Sequence, residues 1–185
     1  MKKLLVLSLL LVGSLAAVPA QSRTCTPYGT FCLFGVCYYD HISNGDPTSL
    51  SCWTTGTSLA TISTCGYSQS AFDMFYGTSV SQDITVGAGQ TGTTWDFGFY
   101  VDFDDPHNDG AYNNILATVY NVTNSATIGT WSWNGANGDL SCSRKDITFS
   151  GNYAGKTLRV TFTSHKAYSD TYIRVRNIFL DQNVP

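Results

Sequence analysis

The chain has 185 residues with a formal net charge of −3, and 43% of its residues are hydrophobic, 14% aromatic and 12% charged. That composition suits one folded domain with a real core and excludes a disordered chain; the acidic balance excludes a partner held through nucleic-acid phosphates. All thirteen acidic residues are Asp, so no chemistry that needs a Glu acid, base or ligand is open to it.

In chain order, Lys2 and Lys3 precede an apolar run from Leu4 to Ala17 and the small-residue stretch Val18-Pro19-Ala20. This is the secretory signal pattern, with cleavage expected after Ala20, and the run is short for a membrane span. Residues 1–20 are therefore read as a signal peptide of bacterial type. Residues 21–39 form a Cys-rich N-terminal extension, and residues 40–185 form a single β domain. The expected location is secreted, extracellular or periplasmic, with no membrane attachment after cleavage. Oligomeric state is not legible.

Past the signal no helical periodicity persists. Alternation dominates, with Gly, Asn, Asp and Ser between the runs. Weaker strands fit Ser58–Ile62 and Gln82–Val86. The clearest is Trp95–Phe103, in which Trp95, Phe97, Phe99, Val101 and Phe103 face one way while Asp96, Gly98, Tyr100 and Asp102 face the other. Further strands fit Ile115–Val122, Thr127–Trp131, Ile147–Phe149, Thr157–Thr163 and Thr171–Leu180. In the last, Asn177 interrupts the apolar face and predicts a bulge. Turns are marked by Asn44-Gly45, Asn134-Gly135, Asn137-Gly138 and Gly151-Asn152. Short strands with frequent turns predict an all-β fold, an antiparallel β-sandwich or barrel.

Six cysteines follow the signal: Cys25, Cys32, Cys37, Cys52, Cys65 and Cys142. In an exported chain an even set reads as three disulfides of open connectivity. No close Cys-x-x-Cys pair supports zinc. Five of the six precede residue 66, so at least one bridge must reach Cys142 and tie the start of the fold to a late strand.

The order of motifs resembles that of bacterial galactose-binding-domain-like jelly-roll sandwiches, which include many carbohydrate-binding modules. Asn44-Gly45-Asp46 followed by Trp53 resembles their opening. Gln82-Asp83-Ile84-Thr85-Val86-Gly87-Ala88-Gly89-Gln90 resembles their next strand and turn. Thr171 to Asp181 resembles their closing strand. The likeness spans about residues 40–182 and implies a jelly roll; Pro47 stands where the family has an aromatic, and the nearby Glu is absent. It further implies a structural Ca²⁺ between the first turn and the last strand, at Asp46 and Asp181.

A second acidic site is suggested by the loop Asp102 to Gly110, where Asp102, Asp104 and Asp109 offer oxygens for Ca²⁺; the alternative is a solvated turn whose Asp and Asn bond their own backbone. For a sugar platform the candidate rings are Tyr100, Tyr172, Trp131 and Trp133, since an aromatic face packs on the C–H face of a pyranose. Arg159 and Arg174 project outward by alternation and would meet a polar or acidic glycan if their strands are neighbours. The alternative is a polar sheet face with cross-strand Asp–Arg pairs. Catalytic motifs are weak: Gly66-Tyr67-Ser68-Gln69-Ser70 lacks the final Gly of a nucleophile elbow, and His41, His107 and His165 have no metal-ligand spacing. Asn121-Val122-Thr123 is a glycosylation acceptor in form, discounted by the bacterial signal. The resulting expectation is a secreted, non-catalytic, carbohydrate-binding protein with no catalytic residues. Two alternatives stand beside it: a structural or adhesion component of the cell exterior, and a hydrolase that uses Asp carboxylates.

Overall fold

The computed structural model describes residues 25–33, 36–47, 49–56, 61–65, 69–74, 77–110 and 112–184, with the side chains of 61–65 and 69 outside the description. The expected signal peptide lies outside it too. Two antiparallel sheets face each other as a sandwich. The seven-stranded sheet contains β1 (Gly29–Leu33), β2 (Val36–Asp40), β4 (Thr61–Cys65), β5 (Gln69–Asp73), β7 (Thr94–Asp104), β10 (Leu140–Ser150) and β12 (Tyr172–Val184). The five-stranded sheet contains β3 (Thr54–Thr55), β6 (Ser79–Thr85), β8 (Asn114–Asn121), β9 (Ala126–Asn134) and β11 (Thr157–His165), in the order β3-β6-β11-β8-β9.

Alternation builds the core. Trp95, Phe97, Phe99, Val101 and Phe103 of β7 are all buried, and Leu158, Val160 and Phe162 of β11 meet them from the other sheet. Phe162 lies 4.9 Å from Phe99 and 5.6 Å from Phe97 between ring centres. Each such ring contributes about 1.5–3 kcal/mol by leaving water, which fixes the register, because a slip of one residue would turn the set outward.

The long strand β12 organises the larger sheet. One edge pairs with β7 along its length; the other pairs with β5 at Arg174 and Val175 and with β2 from Asp181 to Val184. The bulge expected at Asn177 is present: its φ is 45°, and the register with β7 shifts between Arg176 and Phe179. The extra residue lets Ile178 and Leu180 return to the core while Phe179 and Asp181 stay outward.

The Cys-rich segment is part of the sheet. Its β1–β2 hairpin extends the seven-stranded layer beyond β12. Cys32–Cys37 bridges opposed residues of that hairpin, and Cys25–Cys52 fastens its N-terminal side to the loop before β3. Cys142 is also disulfide-bonded, as the cysteine distribution requires. The sixth cysteine, Cys65, has its side chain outside the description.

Candidate functional site

Cross-strand register arranges the outward residues of the seven-stranded sheet in rows. Phe31, Tyr38, Asn183 and Thr94 stand at one end on or beside the β1–β2 hairpin. Next comes a row of three carboxylates: Asp40 on β2 is opposite Asp181 on β12, and Asp181 is opposite Asp96 on β7, with Thr148 of β10 beyond. The following row is Phe179, Gly98 and Asp146, and then Arg176, Tyr100 and Arg144. Last are Asp73, Arg174 and Asp102.

A groove of about 830 Å³ runs over the first three rows, walled by Phe31, Tyr38 and Phe179 and floored by Asp40, Asp96 and Asp181. Phe31 and Tyr38 stack at 5.7 Å with 26° between planes. Phe179 lies across β7 at Gly98, where an added Cβ would fall 1.9 Å from the ring. Only glycine leaves room for the ring there. Arg144 sits 5.0 Å from the Phe179 ring centre, donates to Asp146 at 2.9 Å and reaches Asp96 at 3.4 Å.

The carboxylates are electrostatically tense. Burial pushes Asp181 up to about 7, helped by the charges of Asp40 and Asp96 and only partly offset by Arg144. Burial also raises Asp40, although backbone N–H groups of Ile42 and Leu180 donate to it at 2.9 and 3.1 Å. Asp96 is raised by burial and by Asp146, with Arg144 opposing. One oxygen each of Asp96 and Asp181, Oδ1, is buried with no hydrogen-bond partner.

The residues suggested as a sugar platform separate into three places. Tyr100, Tyr172 and Arg174 share the outer face of the seven-stranded sheet. There Arg174 pairs with Asp102 at 3.1 Å and lies 4.6 Å over Tyr172, while Arg176 lies 5.3 Å over Tyr100. Trp131 and Trp133 are not with them. They stack at 6.3 Å on the inward side of β9, with Trp131 5.3 Å from Phe99, and are half-buried at the edge of the core. Gly129 on the same face abuts Ile147 of the facing sheet, which is why β9 closes over β10 there. Arg159 lies on the outside of the other sheet, bound to Asp83 through two nitrogens. Its strand and β12 are in different layers, so the two arginines are not neighbours.

The acidic loop is organised around Asp105, 1% exposed, rather than around Asp102, Asp104 and Asp109. Asp105 accepts from the backbone N–H of His107 and Asp109, from Asn113 Nδ2 and from Thr171 Oγ1. Asp102 is engaged by Arg174 and Asp104 is exposed. The Asp105 carboxylate thus bonds the loop's own backbone, as a self-bonded turn would. Asp46 and Asp181 both border the groove. Among the described residues no three His, Cys or Asp side chains are grouped so as to hold a metal ion.

Sequence reasoning overlooked Phe31, Tyr38, Asp40, Asp96, Arg144 and Phe179. Asp96 and Gly98 were visible as outward positions of β7. The signal left unused was Phe179, an aromatic on the outward phase once the bulge at Asn177 is counted. His41 is buried against Gln182, and burial lowers its pKa; His107 is held by Asp170 at 3.0 Å. Residues 66–68 of the nucleophile-like stretch lie outside the described residues.

No protein-family model matches the sequence, and no curated protein is similar to it in sequence. Solved structures match in fold. A family 61 carbohydrate-binding module in complex with β-1,4-galactotriose has a TM-score of 0.52 at 11% identity, over 77% of this chain and 98% of that one. The likeness is one of fold: both chains are antiparallel β-sandwiches. A family 16 carbohydrate-binding module matches with a TM-score of 0.46 at 13% identity, over 76% of this chain and 98% of that one. A Clostridium thermocellum xylanase 10B, solved with its CBM22-1 and GH10 modules and xylohexaose, matches with a TM-score of 0.49 at 8% identity, over 78% of this chain and 29% of that one.

Proposed function

We propose that this jelly roll is a secreted protein that binds carbohydrate without catalysing a reaction, and that the groove over β2, β12 and β7 is its binding site. The observation that carries this reading is the pairing of aromatic walls with a polar floor in one concavity. Phe31, Tyr38 and Phe179 offer flat apolar faces to a sugar ring, and the carboxylates and Thr148 offer acceptors to its hydroxyls. The resemblance of the fold to a module solved with a galactotriose supports it.

A specific observation also favours hydrolysis as a second reading. A carboxyl group that keeps its proton near neutral pH, as Asp181 does, is suited to general acid work. Screening the folded chain against an oligosaccharide array, with reducing-end release followed in the same samples, tests both. Retention of one glycan class without release of sugar supports the binding reading. Release of reducing ends abolished by Asp181→Asn would replace it with the hydrolase.

A further inference from the structure

We infer that the groove selects glycans bearing free amino groups, cationic hexosamine oligomers in preference to neutral ones. This rests on the carbohydrate-binding reading and names the class of sugar.

The groove carries unmatched negative charge between aromatic walls suited to a sugar ring. Among the described residues, four carboxylates border the groove, those of Asp40, Asp46, Asp96 and Asp181, against one cation, Arg144. Arg144 is already divided between Asp146 and Asp96. Three of the carboxylates occupy adjacent strands in direct register, at the spacing of neighbouring strands of about 4.8 Å. Hydroxyl groups of a neutral sugar would satisfy acceptors there but would leave the mutual repulsion in place. An ammonium group does both.

Two further features fit that cation. Asp96 Oδ1 and Asp181 Oδ1 are closed off from solvent and meet no protein donor, so the charge of the row is left for an ammonium, with its three donors, to meet at the groove-facing oxygens. The rings of Phe31, Tyr38 and Phe179 attract positive charge to their faces while covering the sugar's apolar side. A bare divalent ion fits less well, because it needs several converging oxygens, and the carboxylates run in a row.

The charged groups that act on Asp181 are Asp40 from β2, Asp96 from β7 and Arg144 from β10, while Asp146 of β10 acts on Asp96. Because Asp181 holds a proton until near neutral pH, arrival of an ammonium displaces that proton into solution.

The test titrates the full chain at about pH 6.5 with glucosamine oligomers, with their N-acetylated counterparts of equal length, and with neutral galactose oligomers. The glucosamine oligomers are expected to bind about tenfold more tightly, with a heat that varies with buffer ionisation as the proton leaves. Asp181→Asn or Asp96→Asn removes that advantage, whereas Asp104→Asn, an exposed carboxylate outside the groove, leaves it intact and excludes general attraction to an acidic protein. Equal or tighter binding of the acetylated or neutral oligomers overturns the cationic preference and leaves the glycan reading standing. Binding of no oligomer of any kind overturns both.

Discussion

Phe179 of β12 occupies the space that a side chain at Gly98 of β7 would fill, so one wall of the groove depends on an absent methyl group. Gly98→Ala is expected to force the ring off β7, because the added Cβ would stand 1.9 Å from it. The cost is about 1–3 kcal/mol, typical of overpacking, read as a lower urea midpoint. A double variant Gly98→Ala/Phe179→Ala should recover most of that loss but not glycan affinity. A Gly98→Ala protein as stable as the wild type would show that the ring is not held there.

The carboxylate row predicts a pH dependence of stability. Asp181 titrates at about 7 in the folded protein, far above an unfolded aspartate near 3.8. Between those values the folded state holds more protons than the unfolded one, so stability is greatest on the acid side and declines as pH rises towards 7. Asp40 and Asp96 are raised and act in the same direction; His41, lowered by burial, acts oppositely just below its ordinary range. Comparison with Asp181→Asn isolates the one group. The variant is expected to melt higher than wild type above pH 7 and to show a shallower decline from pH 4 to 7. Parallel melting curves for the two proteins across that range would contradict the assignment.

The two described bridges should differ in worth. Cys25–Cys52 spans 27 residues and Cys32–Cys37 spans 5. Loop-closure entropy gives about 3.5 kcal/mol for the first and about 2 kcal/mol for the second. Paired Cys→Ser variants, followed by chemical denaturation, test the order. The hairpin pair is expected to weaken glycan binding more than its stability loss suggests, since Phe31 and Tyr38 are presented by the strands it joins.

Asp105 is expected to be the most sensitive position of the acidic loop. Its carboxylate accepts two backbone and two side-chain donors while 1% exposed. Asp105→Ala strands those donors and should cost about 2–4 kcal/mol, with the same loss in calcium and in chelator. An Asp105→Ala loss that is larger in calcium than in chelator would contradict this and point to an ion held by the loop.

Much of the architecture was legible in the sequence because the core strands carry it locally. Trp95–Phe103 and Thr157–Thr163 alternate cleanly, and they became β7 and β11. The bulge at Asn177 was legible as a break in phase. The hairpin of β1 and β2 was not, because Gly29–Leu33 and Val36–Asp40 are short edge strands whose pairing with the end of β12 is fixed by chain closure over more than 140 residues. The site was hidden for the same reason. Asp40, Asp96 and Asp181 come from three distant strands, and only register makes them a row. Trp131 and Trp133 misled because alternation gives two faces of a strand without saying which is the interior. On β9 the aromatic face turned inward.

The most direct measurement is a residue-resolved NMR titration of the folded chain with a bound oligosaccharide. Shifts should concentrate at Phe31, Tyr38, Asp96, Phe179 and Asp181, and Arg159, Trp131 and Trp133 should stay still. Saturable shifts centred on the Arg159–Asp83 face, or on Tyr172 and Arg174 alone, would contradict the groove as the binding site.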